Sequence, residues 1–303
     1  MSKDTIPVLL DTDIGSDIDD ALALAYLLKQ PRCELLGVTT VTGEPTVRAQ
    51  LADAVCQVFG RKQVPIHSGA DRPILVPQMQ TEAPQKTVLA HWPHRQTFAP
   101  NTAVDFLRQT IRSRPGEITL LSIGPLTNIA LLFAVDPQIP PLLRQYVMMG
   151  GVYCSHLGPS GSTEWNARGD PHATAVVFAA RVPGIRCIGL DVTTRCRMPA
   201  DQCRQRFAHG PLQIILEMAE VWFRHARPEI TFHDPLAAAC IFESDLFTFK
   251  PGLVEVELQS DRLRGMTHFA PNAPEKPHQV ALDVRPEAFF EHYFATVGAY
   301  CAS

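Results

Sequence analysis

The chain has 303 residues, of which 46% are hydrophobic, and a formal net charge of −4. This length allows a large core in one or two domains, and the lack of a basic stripe argues against nucleic acid as a partner. The N-terminal residues lack an apolar secretory segment and no later stretch approaches the roughly 20 apolar residues that span a bilayer, so we predict a soluble, cytoplasmic protein that contacts no membrane and acts on a small molecule.

Strand-like and helix-like stretches alternate along the whole chain. The first half is predicted to contain strands at 6–10, 34–41, 64–67 and 117–123, helices at 21–28, 47–59 and 103–114, and a proline-rich loop over 70–100. The second half is predicted to contain strands at 146–149, 185–190, 253–258 and 280–284, mainly helix up to about 242, a loop carrying His233-Asp234-Pro235, and a closing helix at 286–300.

This alternation predicts an α/β fold with a mostly parallel open sheet, covered by helices on both faces, and a small helical C-terminal portion. No linker, charge block or repeat divides the chain, so we predict one domain over residues 1–303. The eight cysteines form no Cys-x-x-Cys pair and lie mostly in apolar surroundings. We expect them to be buried, reduced thiols.

Five acidic residues are crowded between Asp11 and Asp20, directly after the apolar run 6–10 and before the apolar stretch 21–28. Carboxylates this close repel one another unless they spread into water or share a cation. The flanking apolar runs predict a buried strand-to-helix turn, which is where an open α/β sheet binds its ligands. Oxygen-only ligands favour Ca²⁺ or Mg²⁺ over zinc or copper.

Further unusual polar residues also follow predicted strands. They are Glu44, the turn at Gly124, the run Glu164-Trp165-Asn166, and Asp234. Because the carboxyl ends of parallel strands share one edge of the sheet, we expect these groups to converge on one crevice with the acidic turn.

Five motifs occur in a fixed order along the chain. They are the acidic turn, Gly124-Pro125-Leu126-Thr127-Asn128, Met149-Gly150-Gly151, Glu164-Trp165-Asn166 and His233-Asp234-Pro235. In this order they resemble the nucleoside hydrolases, the inosine-uridine-preferring, calcium-dependent N-ribosylhydrolases, over about residues 6–245. The resemblance implies a Rossmann-like nucleoside hydrolase fold, one Ca²⁺ per chain, and hydrolysis of a ribonucleoside to free base and ribose by a water that the calcium activates. It also implies a homo-oligomer, either a dimer or a tetramer.

The resemblance assigns the chemistry to five positions. Asp13, Asp20 and Asp234 would be metal ligands, with the backbone carbonyl of Ile123 as a fourth. Asp13 would also be the catalytic base that takes a proton from the attacking water. His233 matches a position proposed as the proton donor to the leaving base, although a histidine that merely orients Asp234 is nearly as good an interpretation.

Other positions would contact the substrate. Asp19 and Asn166 would hold ribose hydroxyls, and Glu164 would lie nearer the 5′ end of the sugar. Glu44 stands where the family usually has an asparagine that touches ribose, and His91 stands where it often has His-Gly. The predicted substrate-binding residues are Asp19, Glu44, His91, Met149, Glu164, Asn166 and Trp222.

Departures from the family pattern leave alternatives open. Ser16-Asp17-Ile18 lengthens the acidic turn, so Asp17 is a rival to Asp19 or Asp20 as a ligand. Glu44 and the altered loops at 91–94 and 158–162 also fit a nucleoside-binding or sugar-binding protein that has lost turnover. A phosphohydrolase of the haloacid dehalogenase type would use the Asp-x-Asp at Asp11, but lysines are sparse near the candidate loops.

Overall fold

The computed structural model describes residues 5–154, 162–224 and 228–298. Its strands are β1 (Ile6–Thr12), β2 (Cys33–Thr40), β3 (Ile66–Ser68), β4 (Thr119–Ser122), β5 (Gln145–Met149), β6 (Ile185–Ile188), β7 (Arg197–Pro199), β8 (Glu229–Thr231), β9 (Phe247–Val256), β10 (Thr267–Ala270) and β11 (His278–Val284). Its α-helices are α1 (Asp19–Lys29), α2 (Pro45–Val58), α3 (Ala103–Ser113), α4 (Thr127–Val135), α5 (Trp165–Gly169), α6 (Pro171–Ala179), α7 (Leu190–Thr193), α8 (Ala200–Arg206), α9 (Gln213–Arg224), α10 (His233–Phe242) and α11 (Pro286–Val297). Short 3₁₀ helices span Pro84–Ala90, Pro140–Leu142, Gly210–Leu212 and Ser244–Leu246.

Nine strands form one sheet in the order β10-β9-β11-β6-β5-β4-β1-β2-β3. From β3 to β11 the neighbours run parallel, and β9 and β10 add an antiparallel edge. The register pairs Asp11 of β1 with Thr39 of β2 on one side and with Ser122 of β4 on the other. The predicted mostly parallel α/β sheet is confirmed, and its three central strands end side by side.

Helices cover both faces of this sheet. Side chains alternate along β1, so Val8 and Leu10 face a core shared with α1, α2, α9, α10 and α11, whereas Leu9 faces a core shared with α3, α4 and α6. All three residues are fully buried. This burial on both sides explains why β1 reads as a continuous apolar run. The single-domain organisation stays a prediction.

Local structure differs from the sequence-based expectation around His233-Asp234-Pro235. These residues were predicted to lie in a loop, but they form the first turn of α10. Proline is tolerated there because the first N–H groups of a helix have no intrahelical partner. The stretch predicted as mainly helical also contains the two-stranded β7–β8 ribbon, whose three-residue strands are too short to give a periodic signal.

The ends of the predicted elements shift in the C-terminal part. β9 begins at Phe247, earlier than predicted, and β10 was not foreseen. The closing helix α11 ends at Val297, and residues 299–303 lie outside the described part of the chain. The seven described cysteines are free, and all but Cys154 are buried. Within the described ranges, no helix combines the length and the apolar character needed to cross a membrane.

Candidate active site

A cavity of about 430 Å³ opens at the carboxyl ends of the central strands. It lies beside the junction of β1 and β4, where the strand order reverses and open α/β sheets bind ligands. We call its carboxylates Asp13, Asp19, Asp20 and Asp234 the acidic floor. We call the side chains of Ser16, Gln80, Trp165 and Arg168 the rim.

The turn after β1 delivers the first part of the acidic floor. Gly15 has φ of +121°, and a Cβ there would lie 2.6 Å from Leu51 Cδ1 of α2, so the turn packs directly on that helix and requires glycine. α1 then begins at Asp19, which places two carboxylates at a helix N-terminus, where the backbone dipole favours negative charge. The Thr12 hydroxyl donates to Asp20 Oδ1 at 2.5 Å and fixes that side chain.

The first turn of α10 completes the acidic floor. The Asp234 backbone N–H donates to Asp19 Oδ2 at 3.2 Å, which ties α10 to α1. One carboxylate oxygen from each of Asp19, Asp20 and Asp234 lies within 4.8 Å of the other two, so among the described residues Asp19 stands in this group, and Asp13, predicted as a ligand, lines the cavity beside it. Residues separated by more than 200 positions in sequence thus meet at one point.

Burial governs the electrostatics of the acidic floor. It raises the pKa of Asp13 to about 6, and the Arg48 charge opposes this rise. Burial also raises the pKa values of Asp19, Asp20 and Asp234 well above their usual range, and the neighbouring aspartates raise them further. A cation among these oxygens would remove both penalties, and an all-oxygen donor set is the kind that Ca²⁺ selects.

Backbone groups beside the acidic floor are held by Asn166. Its Nδ2 donates to the carbonyl of Ile123 at 2.9 Å and to that of Met149 at 3.3 Å. Each carbonyl keeps a second lone pair, so Ile123 can still accept or ligate. Ile123 follows β4 and Met149 ends β5, so Asn166 joins the ends of two neighbouring strands at the cavity.

Glu164 caps the short helix α5. Its carboxylate accepts from the backbone N–H groups of Asn166 at 2.7 Å, Gly151 at 2.9 Å and Ala167 at 3.0 Å. Burial raises its pKa, and these three hydrogen bonds oppose the rise. The carboxylate is therefore fixed in direction where it lines the cavity.

His233 lines the cavity next to Asp234. Its Nδ1 lies 2.7 Å from the Thr193 hydroxyl, so the ring orientation is fixed from behind. Burial lowers its pKa to about 4, with a smaller contribution from the Arg197 charge. The imidazole is therefore neutral at pH 7.

The rim contains residues that the sequence did not single out. Gln80 Nε2 donates to the Ser16 hydroxyl, and Trp165 Nε1 donates to Gln80 Oε1 at 3.0 Å. Gln80 thereby bridges the acidic turn and the start of α5 across the cavity mouth. Other lining residues missed from sequence are Thr163, Arg168 and Leu190. Asp17, left open as a rival ligand, also lines the cavity.

Three of the predicted substrate-binding residues do not line this cavity in the described part of the chain. Glu44 instead accepts from Lys86 Nζ at 2.8 Å and from the Ala83 N–H. Burial opposes ionisation of Glu44, but these contacts outweigh it and lower its pKa.

The other two residues are His91, which contacts α9, and Trp222, which lies on α9. His91 contacts Glu217 of α9 at 2.5 Å, and Trp222 Nε1 donates to the Glu229 carbonyl at 3.2 Å. Their substrate contacts stay predictions. Most of the loop 158–162 lies outside the described residues.

Comparison with known proteins agrees with this arrangement. The family model described as inosine-uridine preferring nucleoside hydrolase matches residues 8–291. The non-specific ribonucleoside hydrolase RihC of Shigella dysenteriae is 32% identical over 298 residues, covering 94% of this chain and 95% of that protein. Uridine nucleosidase 1 of Arabidopsis thaliana is 29% identical over 270 residues, covering 83% of this chain and 78% of that protein.

Solved structures support the fold. The purine-preferring ribonucleoside hydrolase from Gardnerella vaginalis superposes with a TM-score of 0.84 at 24% identity, covering 96% of this chain and 98% of that one. The plant nucleoside hydrolase PpNRh1 gives a TM-score of 0.83 at 23% identity, covering 97% and 99% of the two chains. At this level of identity the likeness concerns the course of the main chain.

Proposed function

This chain belongs to the inosine-uridine preferring nucleoside hydrolase family, and on that premise we propose how its cavity performs the reaction. The protein hydrolyses the N-glycosidic bond of a ribonucleoside to free base and ribose. The single observation that carries the proposal for the site is that Asp19, Asp20 and Asp234 meet within 4.8 Å in a cavity that Asp13 also lines.

The acidic floor is proposed to hold one Ca²⁺. Asp13, Asp20 and Asp234 would hold the ion, together with the carbonyl oxygen of Ile123. The donor set supports this, since every group is an oxygen and calcium takes six to eight of them, which leaves room for substrate and water. When bound, the ion offsets the mutual repulsion of the carboxylates and makes a neighbouring water more acidic.

Asp13 is proposed as the general base. Its carboxylate lies beside Gly124, whose position would bring a Cβ within 2.8 Å of Asp13 Oδ1. Beside the ion, this carboxylate would be placed to accept a proton from a water that the ion makes more acidic. Asp13 would take a proton from the attacking water as that water approaches C1′.

Three residues are proposed to bind the ribose. Breaking an N-glycosidic bond passes through an oxocarbenium-like state, so fixed negative charge beside the sugar stabilises the transition state. Glu164 is held by three backbone N–H groups and cannot swing away. Asp19 and Asn166 line the same cavity and would accept from or donate to ribose hydroxyls.

His233 is proposed to assist the departing base. Its Nδ1 is engaged by Thr193, which leaves Nε2 for a ligand in the cavity. A hydrogen bond from Nε2 to the leaving nitrogen would lower the barrier, since that nitrogen gathers negative charge as the bond breaks. Asp234 is the next residue, so His233 and the acidic floor are held by the same helical turn.

The test is release of reducing sugar from a panel of ribonucleosides, first with Ca²⁺ and then after removal of divalent ions with a chelator. We expect release in calcium, loss of release after chelation, and recovery when calcium is restored. Release of reducing sugar at the same rate with and without the chelator would contradict the calcium role. Ribonucleoside binding without any release would instead favour a binding protein that has lost turnover.

The phosphohydrolase alternative has no support from Asp11. Its Oδ1 accepts from Thr39 and from Asn128 Nδ2, and the residue is fully buried outside the cavity lining. A nucleophile must reach its substrate, and this carboxylate is enclosed by neighbouring strands. Failure to release phosphate from an aryl phosphate would agree with this. The homo-oligomer and the cytoplasmic location stay predictions.

A further inference from the structure

Arg48 is a fully buried cation behind the acidic turn. It sits on α2, one turn from the start of that helix. Its guanidinium donates to five oxygen atoms from three separate segments. The acceptors are the carbonyls of Asp13, Ile14, Gly43 and Glu82 and the hydroxyl of Ser16.

These contacts converge where three chain segments meet. The acidic turn supplies Asp13, Ile14 and Ser16, the turn after β2 supplies Gly43, and the segment leading to the 3₁₀ helix supplies Glu82. The segments touch directly, since a Cβ on Gly43 would lie 2.2 Å from the Gln80 carbonyl. The Arg48 side chain therefore links all three segments at one point.

The chemistry of the acceptors is informative. All five are neutral oxygens, so the guanidinium forms none of these bonds with a carboxylate. A buried charge is costly unless it is hydrogen-bonded and lies in a field of opposite sign. Here four of the five acceptors are main-chain carbonyls, and the field comes from nearby Asp13, Asp20 and Glu44.

We infer that Arg48 is a positioning residue for the cation site, an inference that rests on the proposed function. Its planar guanidinium fixes the main chain at Asp13 and Ile14, and this aims the Asp13 carboxylate at the cavity. Its positive charge would itself repel a bound cation, so the role comes from the fork of donors and from the main chain that the fork fixes. A lysine could supply the charge but not the fork of donors.

The experiment titrates the parent, Arg48→Lys and Arg48→Met with Ca²⁺ alone. Calorimetry measures the dissociation constant for calcium in each titration. We expect a dissociation constant raised about tenfold or more for both variants, because lysine and methionine both lose the fork of donors that fixes the main chain at Asp13 and Ile14. Saturating calcium should restore most of kcat in the lysine variant, with KM for the nucleoside nearly unchanged. A purely structural role would not give recovery by calcium.

Arg95→Lys is the matched control. Arg95 forms an ion pair at 2.7 Å with Asp53, which lies on α2 as Arg48 does, and neither Arg95 nor Asp53 lines the cavity. It should bind Ca²⁺ within about twofold of the parent. Folded Arg48 variants that bind calcium as tightly as the parent would overturn the inference, and so would an equal loss in the control. A loss confined to methionine would make the charge, and not the fork of donors, the feature that matters, and would overturn the positioning role.

Two further outcomes separate this inference from the proposed function. Unfolding of both Arg48 variants while Arg95→Lys stays folded would make Arg48 a requirement of the fold, and the inference would fail. A parent protein that binds calcium but releases no ribose would contradict the proposed function, whereas the calcium titrations would still decide the role of Arg48.

Discussion

Two of the places where this molecule buries carboxylates show opposite effects on their pKa values. At the end of α4, Asp136 has a side chain only 5% exposed, and it accepts from Arg108 Nε at 2.8 Å and from Arg112 Nε at 2.6 Å. Its pKa is lowered, chiefly by the bond from Arg112 and then by that from Arg108. At the acidic floor the pKa values of the aspartates are raised.

The difference lies in the partners. In the described part of the chain, none of the four floor carboxylates forms an ion pair with a lysine or arginine, and they face one another instead. The charge of Asp136 is thus neutralised within the protein by two arginines, and its role is structural. The charge of the acidic floor remains available for a cation and a substrate. Buried carboxyls with perturbed pKa values in a cleft are typical of functional sites.

Replacing one carboxyl in each region is the strongest way to break this comparison. We expect Asp13→Asn to lower kcat about a thousandfold, because the amide can neither accept the proton nor ligate as an anion. Asp136→Asn should leave kcat within about twofold, since Asp136 lies outside the cavity lining. Initial rates of ribose release at saturating nucleoside and calcium measure both effects.

The exposed Asp261→Asn is the control for removing a surface charge, because that side chain is 93% exposed. Near-normal kcat in Asp13→Asn would remove Asp13 from catalysis. A loss of kcat in Asp136→Asn as large as that in Asp13→Asn would show that the distinction between a structural acid and a floor acid is wrong.

The sequence was sufficient to predict the acidic floor and the sheet behind it. An apolar run, a crowded acidic turn and an apolar helix fix a strand-to-helix turn locally, and parallel topology brings strand ends together. Asp234 could be placed there only through the ordered motifs, since it is more than 200 residues from Asp20 and no local pattern joins α10 to α1.

The surroundings of the acidic floor were less predictable for physical reasons. Gln80 lies in a proline-rich loop without periodicity, so nothing in its neighbourhood indicates its bridge between Ser16 and Trp165. Glu44 forms an ion pair with Lys86, which lies in the 3₁₀ helix Pro84–Ala90. This contact depends on how the long loop folds back against the turn after β2. Side-chain contacts between loops depend on tertiary packing, which a single sequence does not encode as a pattern.

A substitution at the rim should change KM for the nucleoside, whereas a substitution at the acidic floor should change kcat. Gln80→Ala removes the bridge between Ser16 and Trp165. We expect KM to rise roughly fivefold, because one net hydrogen bond is worth about 1 kcal/mol, and kcat to stay within about twofold. Steady-state rates over a range of nucleoside concentrations separate the two constants.

Gln50→Ala is the matched control, since Gln50 donates to the Gln96 carbonyl at 2.7 Å on an exposed surface. Its KM should equal that of the parent. A fall in kcat for Gln80→Ala with unchanged KM would place Gln80 with the acidic floor in function, and no change in either constant would mean that the bridge does not affect the substrate.

The smallest expected effect is on stability at low pH. The pKa of Asp136 in the folded state lies below that of an aspartate in the unfolded chain, about 4, so its contribution to stability is present above that pH and is lost as pH falls towards the folded pKa. We expect Asp136→Asn to lower Tm by a few degrees at pH 5. Between pH 5 and pH 3, the Tm of the variant should then fall by less than that of the parent.

The acidic floor changes stability with pH in the opposite direction, because its raised pKa values make the stability of the calcium-free protein fall as pH rises. Comparing Tm of parent and variant in chelator at each pH cancels the contribution of the acidic floor, which both proteins share. Parallel Tm curves for the two proteins would mean that the two arginines do not hold Asp136 as an anion.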